Sequence, residues 1–289
     1  MSTATARIDL DRNGAGGRGA GKPRPGRRAS AGHWIERRWV AVAAPVALGA
    51  VGLGLWEVAV HALSIQPYLL PAPSAILAQL QASISGIAQA ALATGRNALI
   101  GLLLGAILAV VVAALASRVR WIDSVVAPLV AAIAVVPIVA LAPVLQTMYG
   151  ATSEMPRIVV VAIASFVPVF ITSLRGLRQV RPVHRDLMRA YGATGWQATR
   201  IVTLPGAVPF VFAGLTIASS IAVISAIVAE YFGGLQNGLG SRIASAAAQS
   251  GYARAWAYVV ASIVLGIVFY AVTLFAERLA SRWARIPVS

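Results

Sequence analysis

The chain has 289 residues, 58% hydrophobic, 11% charged and none cysteine, whereas a soluble domain carries about 25% charged residues. This composition excludes an ordinary water-solvated surface, and the lack of cysteine excludes disulfides, thiolate metal sites and a cysteine nucleophile. The net charge of +15 lies in a tail and in connectors between apolar runs, which argues for membrane topology over a nucleic-acid ligand.

Residues 1–39 are rich in Gly, Ala, Ser and Arg, with almost no large apolar side chain before Trp34. Such a stretch cannot bury enough surface to offset its ordering entropy and is predicted to be a disordered, basic cytoplasmic tail. The apolar run that follows is too long for a signal peptide and lacks a small-residue cleavage site. Gly16, Gly21 and Lys22 imitate the start of a phosphate-binding loop, but Pro23 stands where the magnesium-binding Ser or Thr belongs. No nucleotide-hydrolysing site is therefore expected in this chain.

Residues 40–289 read as the membrane domain. Five runs approach the ~20 apolar residues needed to cross the hydrocarbon core: 40–63, 98–116, 124–149, 158–174 and 255–276. A sixth lies at 210–229. Backbone groups in lipid must be satisfied within their own segment, so these are helices. The stretch 63–95 carries no charge but holds Pro67, Pro71, Pro73 and four glutamines. Leu77, Leu80, Ile84 and Ile87 share one helical face, so the expectation is an extended lead-in and then an amphipathic helix lying on the membrane, with Ser74 as its N-cap. The chain is thus predicted to be an all-α integral membrane protein with about six transmembrane helices.

With six spans and both termini inside, 20 of the 24 Lys and Arg fall on the inner side and four, Arg96, Arg157, Arg242 and Arg254, outside. That asymmetry is what the positive-inside rule demands. A seventh span at 63–95 would put the basic tail and the basic 175–200 stretch on opposite sides.

The long inner loop 175–209 has helical character from Arg185 to Tyr191 and reads as a docking element. Asp186, Leu187 and Met188 are followed after three residues (Arg189, Ala190, Tyr191) by Gly192, then by Val202, Leu204 and Pro205. This spacing resembles the E-A-A…G…I-x-L-P signature of permease subunits of binding-protein-dependent, type I ABC importers; both alanines and the isoleucine are replaced. Leu70-Pro71-Ala72-Pro73-Ser74, and Ala229-Glu230 followed by Gly238-Leu239-Gly240, resemble the nitrate, sulfonate and taurine subfamily. The resemblance implies a coupling helix gripped by a cytoplasmic ABC ATPase dimer, with Asp186 capping or pairing near the helix start, Leu187 and Met188 as an apolar knob, Gly192 ending the helix, and Ala193 and Trp196 just beyond. Pro205 and Pro209 are expected to break the chain before the next span.

The same resemblance implies a second permease copy, an identical one in the simplest case, and an extracytoplasmic solute-binding protein. ATP and magnesium would be bound by the partner ATPase, with no cofactor, metal or catalytic residue in this chain. The implied solute is a small anion such as a sulfonate or nitrate, or alternatively a vitamin precursor; the implied location is the bacterial inner membrane.

Candidate pathway residues are the small polar groups within spans: Gln146, Thr147, Ser165, Thr216, Ser219, Ser220 and Ser225. The competing role for each hydroxyl is a bond to its own helix. Gly101 and Gly105 form a G-x-x-x-G pair, a close-packing signal. Glu230 sits at the outer end of the fifth span, where a solvated helix end is expected. No span holds a charge at its centre, which disfavours a self-powered secondary transporter. His33, His61 and His184 are too scattered to serve a serine nucleophile or zinc. A non-transporting scaffold subunit remains as the other alternative.

Overall fold

The computed structural model describes residues 32–150, 152–180 and 182–284, and among these every regular element is helical. The chain divides into two units, residues up to Gly52 and residues from Leu53 onward. The first transmembrane helix, α1 (Gly32–Ala62), begins inside the stretch read as tail; residues 1–31 lie outside the described residues.

Five helices are long and apolar enough to cross a membrane, and six if one bent pair is counted as a single span. The five are α1, α3 (Ile84–Arg118), α6 (Met155–Arg178), α9 (Leu204–Tyr231) with the short helical turns before it, and α11 (Tyr252–Ala284).

Four sequence expectations change. The 63–95 stretch is not one surface helix. It makes α2 (Pro73–Ala82), and then α3 starts at Ile84 and runs unbroken to Arg118. At 1.5 Å per residue, those 35 residues reach about 52 Å, well beyond a ~30 Å core. Ser74 does not cap α2. Its backbone N–H and its hydroxyl both donate to the Glu57 carboxylate, at 3.0 and 2.7 Å, while Pro73 occupies the first turn, where a missing N–H costs nothing.

The third span is not a straight helix either. It is α4 (Arg120–Val135) and α5 (Ile138–Tyr149), bent by 102° across the Val136-Pro137 break. Pro137 brings no N–H to continue the ladder and disfavours helical backbone in the residue before it. Finally, Pro205 and Pro209 do not break the chain. Both lie within α9, Pro205 in its first turn, and a π-helical segment (Thr199–Thr203) joins α9 to α8 (Gly195–Ala198).

The core is the α3–α6–α9 layer, with Ala98, Leu102, Ala109, Val161, Val169, Phe170, Ala218 and Ala222 buried in it. Close approach depends on Gly101 and Gly105. A Cβ on Gly101 would sit 2.5 Å from the Val161 Cβ, and one on Gly105 would collide with the Ala162 carbonyl oxygen. The G-x-x-x-G pair is thus a packing device, as such pairs are where dispersion rather than water drives helix association. Elsewhere large apolar side chains face outward, including Leu48, Leu55, Ile107, Ile224, Ile267 and Phe275, as lipid-facing surface requires.

Candidate functional site

The loop between α6 and α9 forms a compact helical unit. Helix α7 (Pro182–Ala190) is closed by Gly192, whose φ of +69° is the left-handed conformation that L side chains rarely adopt. The Gly192 N–H donates to the Arg189 carbonyl at 2.9 Å and the Ala193 N–H to the Met188 carbonyl at 3.0 Å. This bond pair is the Schellman closure, which satisfies carbonyls the helix end would otherwise strand. Helix α8 then restarts the chain with a capping box. The Gln197 N–H donates to the Thr194 hydroxyl at 3.3 Å, and the Thr194 N–H to the Gln197 side chain at 2.7 Å.

Capping leaves an apolar face in the open. Val183 is 70% exposed, Leu187 52%, Tyr191 81% and Trp196 62%. Leu187 therefore points outward, whereas Met188 and Ala193 line a cavity on the inner side of the loop. Asp186 sits mid-helix, not at the helix start, and its carboxylate is 3.4 Å from Arg189 Nη1 in a fully surface pair. Leu204 and Pro205 open α9. The loop is tied to the bundle by Arg178, which reaches Asp123 at 2.7 Å and the Ala116 carbonyl at 3.3 Å, and by Gln179, which donates to the Gly206 carbonyl at 2.8 Å.

The far end of the bundle holds a second constellation, and here the sequence reading is corrected. Glu230 is not a solvated helix end; it is completely buried. Its carboxylate accepts from the Thr94 hydroxyl at 2.8 Å and from the Gly240 N–H at 3.0 Å. Gly240 lies in the first turn of α10 (Leu239–Ala248), so a side chain from α9 caps α10 and meets the positive end of its dipole. The neighbouring Leu239 N–H donates to the Thr94 hydroxyl at 2.8 Å. A Cβ on Gly238 or Gly240 would strike the Glu230 side chain, which explains the glycines after Ala229-Glu230.

Arg157, 1% exposed in the first turn of α6, stands 3.9 Å from Glu230 Oε1 and donates to Asn237 Oδ1 at 2.7 Å and to the Leu235 carbonyl. Asn237 and Arg96 both reach Glu154. The cluster thus pins α3, α6, α9 and α10 together. The Glu-to-Gly spacing was visible in the sequence, but Arg157 and Thr94, far away along the chain, carried no local signal.

The candidate pathway residues disperse. Thr216 donates to Glu277 at 2.7 Å and Ser219 meets Thr273 at 3.0 Å, so both are occupied between α9 and α11. Ser165 and Ser225 are buried within the bundle. Gln146 donates to the Ala229 carbonyl at 3.4 Å and Thr147 to its own helix at the Val144 carbonyl. Ser220, half-buried, shares its side of α9 with the exposed Ile217 and Ile224.

A bundle of helices long and apolar enough to cross a membrane, with a capped helix carrying exposed apolar side chains between α6 and α9, is the architecture of a multi-pass membrane protein. Residues 101–285 match the family described as binding-protein-dependent transport system inner membrane component, and the chain belongs to that family. It is 29% identical over 247 residues to the riboflavin transport system permease protein RibX of Chloroflexus aurantiacus, covering 85% of this chain and 91% of that protein. It is also 30% identical over 187 residues to the formylaminopyrimidine transport permease protein ThiX of Halalkalibacterium halodurans, covering 64% and 74%. Its fold is shared with a crystal structure described as an amino acid ABC transporter with histidines, at a TM-score of 0.54 and 19% identity over 73% of this chain and 97% of that one. The chain is a multi-pass permease subunit of an ABC import system, a family that works with an ATPase and a binding protein.

Proposed function

We propose that the α7–α8 unit is the contact through which a cytoplasmic ABC ATPase dimer drives this permease, and that the solute delivered from outside is a small nitrogen heterocycle of the vitamin-precursor kind. The observation that carries the first part is the set of exposed apolar side chains, Val183 and Leu187 on α7, Tyr191 at its end and Trp196 on α8, around the Gly192 cap. Large apolar side chains held out on a loop beside arginines fit a protein partner's cleft better than water. Asp186, Arg189, Ala190, Leu204 and Pro205 belong to the same contact region. The loop 175–209 and the basic tail 1–39 would then lie in the cytosol, with both termini inside and residues 40–289 as the permease domain, in the inner membrane of a bacterium.

Two identical copies would enclose the route, because one chain supplies five or six spans. In this scheme ATP and magnesium sit on the ATPase, and this chain hydrolyses nothing. Ser220, beside Ile217 and Ile224, is the α9 polar side chain best placed for the pathway; Gln146, Thr216 and Ser219 bond neighbouring helices, Thr147 bonds its own helix, and Ser165 and Ser225 are buried in the packing. The solute class is supported by the names of RibX and ThiX, and by the engagement of Arg157, which already serves Glu230, Asn237 and Leu235 and is not free for an anion. That favours an uncharged heterocycle over a sulfonate or nitrate.

The test is reconstitution with the ATPase and binding protein in vesicles. Gly192→Val forces a β-branched residue to positive φ, at a cost of order 1–3 kcal/mol. It should leave the protein inserted and ATP hydrolysis present while uptake falls more than about tenfold, a coupling change of ~1.4 kcal/mol or more. Normal uptake by this variant would remove the coupling role. Labelled flavin or pyrimidine should enter where an aliphatic sulfonate does not; the opposite preference would overturn the solute assignment.

A further inference from the structure

The inner side of the coupling loop holds a cavity of about 660 Å³ that none of the exposed apolar residues Val183, Leu187, Tyr191 and Trp196 lines. Its walls are the end of α3, the end of α6, the inner side of α7, α8 with the π-helical segment after it, and the first residue of α9. Three potential cations face it, Arg118, His184 and Arg189, together with the hydroxyl side chains of Ser117, Thr199 and Thr203. Among the described residues no Asp or Glu lines it. Arg189 shares its charge with the exposed Asp186 at 3.4 Å. The cavity is therefore lined by basic and hydroxyl groups of the kind that pair with phosphate oxygens.

A second hollow, about 300 Å³, lies farther along the same helices and is lined wholly by apolar side chains. Leu103, Ile107 and Val111 of α3 face Val211 and Leu215 of α9 across it. The two hollows share helix faces. On α3 the row Leu103, Ile107, Val111, Leu115, Arg118 advances by three or four residues at each step, as one face of a helix does. On α9, Leu204 of the basic cavity and Val211 of the apolar groove lie two turns apart, on one face. An apolar track thus leads along the bundle into a basic, hydroxyl-lined cavity at the end where α3 stops.

We propose that this track is a binding site for an anionic phospholipid, with one acyl chain along the α3–α9 groove and the phosphate between Arg118 and the α7 side chains His184 and Arg189. The charge complementarity of the cavity and the wholly apolar lining of the groove each point to the same occupant. A headgroup in that position bridges the end of α3 to the back of α7, so the lipid becomes part of the lever between the ATPase contact and the spans. The cytoplasmic placement rests on the orientation proposed above; the binding itself does not, because it can be read in detergent without ATPase turnover.

The full complex would be purified, exchanged into mixed phosphatidylglycerol and phosphatidylcholine, and retained lipid counted by native mass spectrometry. Phosphatidylglycerol should be retained in preference. Arg118→Gln should lower its retention about fivefold, the loss expected for one basic residue beside an anionic headgroup. Ile107→Trp should fill the groove and release the lipid whatever its headgroup. In vesicles, phosphatidylglycerol should raise solute-stimulated ATP hydrolysis of the wild type and not of either variant. Equal retention of both lipids, or retention unchanged in Ile107→Trp, overturns the proposal. Displacement of phosphatidylglycerol by millimolar inorganic phosphate would make the cavity a free-phosphate site instead. Disulfide formation between two copies carrying Ile107→Cys would show that a second copy covers the groove. Lipid binding with no uptake in any condition would sink the transport reading and leave the lipid site standing.

Discussion

At the scale of single residues, Glu230 is the side chain on which most depends. It is fully buried, it satisfies the Thr94 hydroxyl and the Gly240 N–H, and it faces the buried Arg157. Removing one partner of a buried pair leaves the other charge and its donors stranded, which costs ~3–5 kcal/mol. Glu230→Ala should therefore lower the yield of folded protein sharply and depress the unfolding temperature in detergent. Glu230→Gln keeps an acceptor for Thr94 and Gly240 and should fall between Ala and wild type. If both variants melted like wild type, the cluster would not hold the bundle. The residue's type and position were plain in the sequence, and its burial was not. A carboxylate at the end of an apolar run reads as solvated unless the residues that enclose it, here from α3, α6 and α10, are known.

At the scale of elements, the α3–α6 contact and the α7 cap follow different rules. Gly105 lies against the Ala162 carbonyl so closely that any side chain collides with backbone, which cannot swing away. Gly105→Leu should separate the two helices, and detergent-solubilised protein should lose its folded, monodisperse state. A Cβ on Gly54 would meet nothing within 4 Å outside its own helix, so Gly54→Leu is the matched control and should leave folding intact. Failure of both would place the effect in insertion and not in packing. The close-packing role was legible because a four-residue spacing puts two glycines on one face. The α7 cap was also legible: a glycine after a short amphipathic stretch is the local condition for a left-handed stop. The bend between α4 and α5 was not, because prolines also kink helices mildly, and the sequence has Pro128, Pro137 and Pro143 within the same apolar run. Which one breaks the helix depends on what packs against it.

At the scale of the whole molecule, the orientation proposed from charge is open to direct measurement. The absence of cysteine makes single-cysteine labelling clean. Gln197→Cys, exposed on α8, should react with a membrane-impermeant maleimide only in inside-out vesicles, and Gln236→Cys, exposed beyond α9, only in right-side-out cells. The reverse pattern would place the coupling loop outside and end the proposed link to a cytosolic ATPase.

The spans, the inside-positive bias and the spaced Gly192, Leu204 and Pro205 depend on neighbours in sequence or on transfer from water to lipid. Both are properties of short stretches of chain, so the order of residues determines them, and with them the class of protein. Burial of Glu230 and Arg157, the occupation of Thr216 and Ser219 by α11, and the basic cavity behind α7 depend on residues tens of positions apart meeting across helix faces. Hydropathy is blind to which faces meet, so those features were decided only when the helices packed.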